Sequence, residues 1–208
     1  NVICSHGGPQ YNPSICTDGH KGAYIGWYDL NYSPSRVYVQ HIDSAGYITW
    51  PVNGLTVLDT TITGFGPSNP HLVPDGNGGV IIAYTRTAIG GADHIYAQRM
   101  DANGQLLWNP PVDIDVSSDA RLIDAVSDQH GGAIMNWYRY AGGTQVTVQW
   151  IDSTGARYLP ANGLGITNNG MVHYDNHVAY AGNSAHSMAY VVWGDDDTLH
   201  LQAFDTSG

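Results

Sequence analysis

The side chains best suited to hold a ligand are Tyr28, Tyr32, Arg86, Tyr138, Arg139 and Tyr140. Tyrosine offers flat, amphipathic contact area and arginine a fixed fork of donors, which suits a glycan or a protein surface. Arg86 and Arg139 could also clamp a carboxylate. Asp195, Asp196 and Asp197 form a run of hard oxygen ligands that could take Ca2+, although neighbours in an extended segment point different ways. Cys4 and Cys16 are close in sequence and lie in strand-like contexts, so a short disulfide is expected, with two buried thiols as the alternative. Neither cysteine belongs to a Cys-x-x-Cys or Cys/His zinc pattern.

Other chemistry is poorly provided for. All 18 acidic residues are aspartate, so a glycosidase would need two Asp for its carboxyl pair. There is no Gly-x-Ser-x-Gly elbow and no phosphate-binding loop. The ten histidines are scattered; His173 and His177 have a metal-binding spacing only on a helix. A net charge of −11 argues against nucleic acid and anionic membrane surfaces as partners. Apolar runs such as Gly79 to Ala83 are too short for membrane insertion. The chain opens on Asn1 without a basic start or an apolar stretch, which leads to the expectation of a mature or excised segment.

The elements that must position these residues come from an internal repeat. With 26 Gly, 14 Tyr and one Lys, the composition favours strands and turns over helices. Three phrases recur in fixed order. A turn leads into an apolar strand ending on an aromatic: Asp18 to Gly22 then Ala23 to Trp27, Asp75 to Gly79 then Val80 to Tyr84, and Asp128 to Gly132 then Ala133 to Trp137. A degraded fourth copy runs from Asn183 to Ser187, then Met188 to Trp193. Next comes a strand closing on Gln-x-x-Asp, at Gln40, Gln98, Gln149 and Gln202. Then follows Asp-x-x-Gly, usually with a later aromatic, as in Asp43 to Trp50 and Asp101 to Trp108. The aromatic marker steps by 57, 53 and 56 residues.

A period near fifty residues with about four short strands predicts an all-β fold, a β-propeller of four-stranded antiparallel blades. The expected division of residues 1–208 is the end of a preceding blade at 1–10, blades at 11–64, 65–116 and 117–168, and an incomplete blade at 169–208. This reading favours part of a larger propeller over closure with four blades. Strand one is expected near Pro13 to Thr17, Pro70 to Pro74 and Arg121 to Val126; strand four at Tyr47 to Pro51 and Gln105 to Trp108. Val37 and Val39, Ile95 and Ala97, Val146 and Val148, and Leu199 and Leu201 should form the faces that pack blade on blade.

The pattern Asp-Gly-x-Gly-Gly, apolar strand, Gln-Arg-x-Asp-x-x-Gly-x-x-x-Trp, best seen in residues 75–108, resembles propeller-like repeats of large secreted proteins from Bacteroidetes and related bacteria. That resemblance implies type IX secretion cargo, a secreted or cell-surface location and contact with the secretion machinery. The sialidase Asp-box is similar in spirit but differs in spacing, so sialidase activity is not carried over.

The repeated Asp and Gly residues are explained by their turns. Function is therefore expected on the opposite face, in the loops at Asp29 to Arg36, Arg86 to His94, Arg139 to Thr144 and Gly194 to Thr198, and in interblade loops such as Asp59 to Ser68. The expectation is a non-catalytic module binding glycan or protein. The alternatives are a glycoside-acting enzyme whose catalytic residues lie outside this segment, or a structural spacer.

Overall fold

The computed structural model describes residues 1–32, 34–57, 67–87, 91–117, 119–140, 144–167, 174–182 and 187–208. His173, most of the degraded turn at Asn183 and most of the interblade loop after Asp59 lie outside them. The described residues form four antiparallel sheets in chain order. The first contains β1 (Gln10–Thr17), β2 (Ala23–Asp29), β3 (Arg36–Ile42) and β4 (Leu55–Thr56). The second contains β5 (Pro67–Pro74), β6 (Val80–Thr87), β7 (Asp93–Met100) and β8 (Val112–Asp115). The third contains β9 (Ala120–Ser127), β10 (Ala133–Tyr140), β11 (Thr144–Ile151) and β12 (Leu164–Gly165). The fourth contains β13 (Tyr174–Tyr180), β14 (Ala189–Gly194) and β15 (Leu199–Phe204). Each sheet is an up-and-down blade, and the fold is the expected β-propeller.

The repeated residues act as a bonding code. In the turn before the second strand, Asp18, Asp75 and Asp128 each accept two backbone N–H groups through Oδ1. Their Oδ2 atoms receive a side-chain N–H from the third strand: His41 at 2.9 Å, Arg99 at 2.9 Å and Trp150 at 3.0 Å. Three unlike residues therefore share one task, and the position demands a nitrogen donor. The closing glycine is steric. A Cβ on Gly79 would lie 2.4 Å from Met100 O and 2.6 Å from Asp75 Oδ2.

The glutamine explains where the fourth strand lies. Gln40 is buried; it donates to Pro51 O and accepts from Trp50 N. Gln98 does both with Trp108, and Gln149 serves Pro160 and Leu159. The segment after Asp-x-x-Gly is thus held as a loop by a side chain, with one isolated bridge in each of the first three blades, such as Ile42 to Ile48. Strand four begins later than expected, at β4 and β8 rather than at Tyr47 to Pro51 and Gln105 to Trp108.

Core clusters fill the spaces between consecutive blades. Val37, Val39, Ile95, Ala97, Val146 and Val148 are buried there as expected. Leu199 and Leu201 repeat the pattern but are 76% and 64% exposed.

The two cysteines are free. The expected disulfide is corrected for a simple reason of reach. Cys16 pairs with Tyr24 at one end of β2, whereas Cys4 lies beside Asp29 at the other. Five residues of strand span roughly 17 Å, beyond the ~7 Å between Cα atoms that a disulfide tolerates. Burial, with the charges of Asp18 and Asp75, pushes the Cys16 thiol up to about 12.

Candidate functional site

The first strands of the blades, β1, β5, β9 and β13, lie innermost and pack on one another around the axis. Strand pairing makes Ser14, His71, Asp124 and His177 equivalent, each opposite the residue just before the aromatic marker. A polar side chain occupies this position in every blade. Ser14 Oγ accepts Leu72 N–H from the next blade at 3.0 Å. Asp124 Oδ2 accepts Val178 N–H and meets His177 Nδ1, both at 3.3 Å. Burial pushes the His71 imidazole below its ordinary value, and the charge of Asp124 opposes that shift.

Above this ring a second layer runs across the inner strands. Asn12 and Asn69 both have positive φ, 47° and 51°, within bulges of β1 and β5. Such backbone favours asparagine among residues with a side chain. Asn12 Nδ2 donates to Asn69 Oδ1 at 3.0 Å, and Asn69 Nδ2 donates to Leu122 O at 2.8 Å.

This layer is the floor of a hollow of about 490 Å³, lined by Asn12, Ser68, Asn69, Thr85, Thr87, Asp93, Arg121 and Leu122. A contiguous lobe of about 370 Å³ adds Gly91, Asp119 and Tyr140 while sharing Asp93 and Arg121. Asp93 takes a 2.6 Å bond from Thr87 Oγ1 and faces Arg121 Nε at 3.5 Å. Asp119 accepts the Asp93 N–H at 3.4 Å. The Arg121 side chain is two-thirds exposed, so it can turn toward a ligand. Asp124 follows Leu122 by two residues on β9, below the floor. The hollow opens on the side of the variable loops, where the starts of the first strands meet the ends of the second.

Of the six ligand-binding residues expected from the sequence, Tyr140 reaches this hollow. Tyr28 stacks on Tyr11 at 5.5 Å, and Tyr32 lies under the Arg36 guanidinium at 4.0 Å. Arg86 sits over the Tyr96 ring at 5.6 Å. Tyr138 is buried in the core between the third and fourth blades. Arg139 pairs with the fully buried Asp115 at 2.7 Å and also donates to Asn162 O. Asp195 is engaged in its own hairpin, accepting from Thr198 N–H at 3.2 Å and meeting His200 at 2.7 Å; Asp196 and Asp197 are exposed beside it. The hollow lies on the face of the variable loops, and its inner-strand lining was not among the residues singled out from the sequence. The signal was available, since aligning the first strands puts Ser14, His71, Asp124 and His177 in register.

No family model and no curated protein matches the chain. Solved structures do. An endo-1,4-beta-xylanase from Bacteroides thetaiotaomicron has a TM-score of 0.50 at 10% identity, covering 98% of this chain and 73% of that one. An endo-arabinase from the same organism has a TM-score of 0.49 at 15% identity, covering 93% and 73%. A GH43 endo-arabinanase from Bacillus licheniformis has 0.43 at 13%, covering 94% and 73%. At these identities the likeness is one of fold. The expectations of a non-catalytic module and of a chain without enzymatic activity do not stand: the solved structure with a TM-score of 0.50 is that of an endo-1,4-beta-xylanase, not of a binding module. Among the described residues no helix is long and apolar enough to cross a membrane.

Proposed function

We propose that this propeller acts on glycans as a glycoside-cleaving enzyme, with substrate bound in the axial hollow. The observation that carries this reading is the hollow itself. It sits where the inner strands converge, and most of its lining can exchange hydrogen bonds with sugar hydroxyls. Glycoside hydrolysis needs two carboxyl groups flanking the bond. Asp93 and Asp119, the two carboxylates that line the hollow, are the pair proposed here, with Arg121 and Tyr140 orienting the sugar. The absence of Glu is then no obstacle, because chain turns do not consume these two aspartates as they do Asp18 or Asp43. The proposal differs from the sequence expectation in placing catalytic groups within this chain.

The secreted or cell-surface setting and the type IX route belong to the same proposal. They rest on the resemblance of the repeat, best seen in residues 75–108. The arabinan- and xylan-named neighbours suggest pentose polymers as first substrates. The test is release of reducing ends from arabinan, xylan and other plant glycans. Turnover should appear with at least one and fall about 10²-fold or more in Asp119→Asn and Asp93→Asn, each folded by circular dichroism. No turnover across the panel, or turnover unchanged in both variants, would overturn the proposal.

A further inference from the structure

The segment before β1 lies against the end of β2 in the way that β8 and its following loop lie against the end of β10. Leu30 N–H bonds Pro9 O, as Tyr140 N–H bonds Asp119 O. By strand pairing, Asp29 occupies the position of Arg139. In the third blade the contact is complete: Asp115 receives Trp137 Nε1 and the Arg139 guanidinium. In the first blade it lacks its cation. Asp29 is fully buried, and its Oδ2 has no hydrogen-bond partner among the described residues. His6 Nδ1 and Trp27 Nε1 are buried atoms in the same condition.

Cys4 completes the group. One ligand atom from each of Cys4, His6 and Asp29 lies within 4.8 Å of the other two. His6 Nδ1 and Asp29 Oδ2 are 3.4 Å apart and make no hydrogen bond to each other. That separation matches an edge of a tetrahedron with metal–ligand bonds of about 2.0–2.3 Å, whose edges are roughly 3.3–3.7 Å. Asp29 Oδ1 is already held by Asn31 N–H at 2.7 Å, which fixes the carboxylate with Oδ2 aimed at the other two groups. His6 is also fixed, edge-on to Tyr38 with ring centres 5.8 Å apart.

We propose that Cys4, His6 and Asp29 form a Zn2+ site. A thiolate, an imidazole and a carboxylate are a zinc donor set, and three protein ligands leave a fourth position for water. Binding replaces the Cys4 S–H bond with S–Zn and releases that proton to solvent. The ion supplies the positive charge that Arg139 supplies in the third blade, and it ties the segment before β1 to the propeller. This site is separate from the axial hollow and does not depend on the glycan reading.

The test is metal titration of the whole protein. One Zn2+ should bind per chain and raise the thermal midpoint. Co2+ in its place should give the sulfur-to-metal charge-transfer absorption that only a thiolate ligand produces. Cys4→Ser should abolish that absorption, and His6→Gln, at a half-buried site tolerant of change, should weaken affinity at least about 10-fold. Cys16→Ala should leave both intact. Absence of the Co2+ absorption, or equal metal affinity in wild type and Cys4→Ser, would overturn the site and assign any binding to other histidines.

Discussion

Replacing Asp115 by alanine should damage the propeller more than any change on its variable loops. The carboxylate is fully buried; its Oδ2 accepts three bonds, from Trp137 Nε1 at 2.8 Å, Arg139 Nε at 3.1 Å and Arg139 Nη2 at 2.7 Å, and its Oδ1 accepts the Ser117 N–H and hydroxyl. It reaches from β8 in the second blade to β10 in the third, so it ties two blades together. Removing one partner of a buried pair costs about 3–5 kcal/mol. The Arg139 side chain is 17% exposed and keeps its bond to Asn162 O, so the lower end, about 3 kcal/mol, is expected. For a chain of this size that is a fall of about 6–12 °C in thermal midpoint. Urea unfolding of wild type, Asp115→Ala, Arg139→Met and the double variant measures it. The double variant should be less destabilised than the sum of the singles by about 1 kcal/mol or more. A cost for Asp115→Ala under about 1 kcal/mol, or strict additivity, would refute the reasoning and return Arg139 to the pool of ligand-binding candidates.

Gln98→Leu should cost about 2–4 kcal/mol, because it strands both the N–H and the C=O of Trp108 in a buried site; Gln202→Leu, at an exposed copy of the position, should be close to neutral in the same unfolding assay. Acidification should destabilise the protein from about pH 6.5 downward. The depressed folded value of His71 means that the unfolded chain takes up a proton the folded chain refuses, so stability is present above pH 6.5 and is lost as pH falls toward the folded value; His71→Gln should flatten that part of the profile. Asp18 adds a second loss at lower pH. Burial raises its carboxyl, but bonds from His41, His20 N–H and Gly22 N–H outweigh that and hold it below its ordinary value of 3.8. Leu199→Lys with Leu201→Lys should leave the thermal midpoint within about 2 °C while reducing self-association in sedimentation, since both side chains are exposed on the blade face that elsewhere packs on a neighbour.

The fold was legible because the code of each blade is written in side chains with unusual duties. Asp75, Gly79, Gln98 and Trp108 recur in sequence because each fills a backbone need that every blade has. Strand four was misplaced because Gln40 and Gln98 hold the segment after Asp-x-x-Gly as a loop through side-chain bonds, which strand propensity does not register. Arg139 looked like a ligand clamp because its partner, Asp115, lies 24 residues earlier in another blade. The disulfide failed for a related reason, since nearness in sequence put Cys4 and Cys16 at opposite ends of one strand. The hollow was hidden differently. Asn12, Asn69, Asp93 and Arg121 come from three blades and meet only when the inner strands converge.

The central claim is that the axial hollow is where this protein meets its substrate. Backbone chemical-shift mapping of the Asp119→Asn protein, titrated with arabinan- or xylan-derived oligosaccharides, tests it most directly. Saturable shifts should centre on Asn69, Thr85, Asp93, Arg121 and Tyr140. Shifts confined to the turns at Asp43, Asp101 and Asp152 on the opposite face, or none for any oligosaccharide that the wild-type protein cleaves, would contradict it.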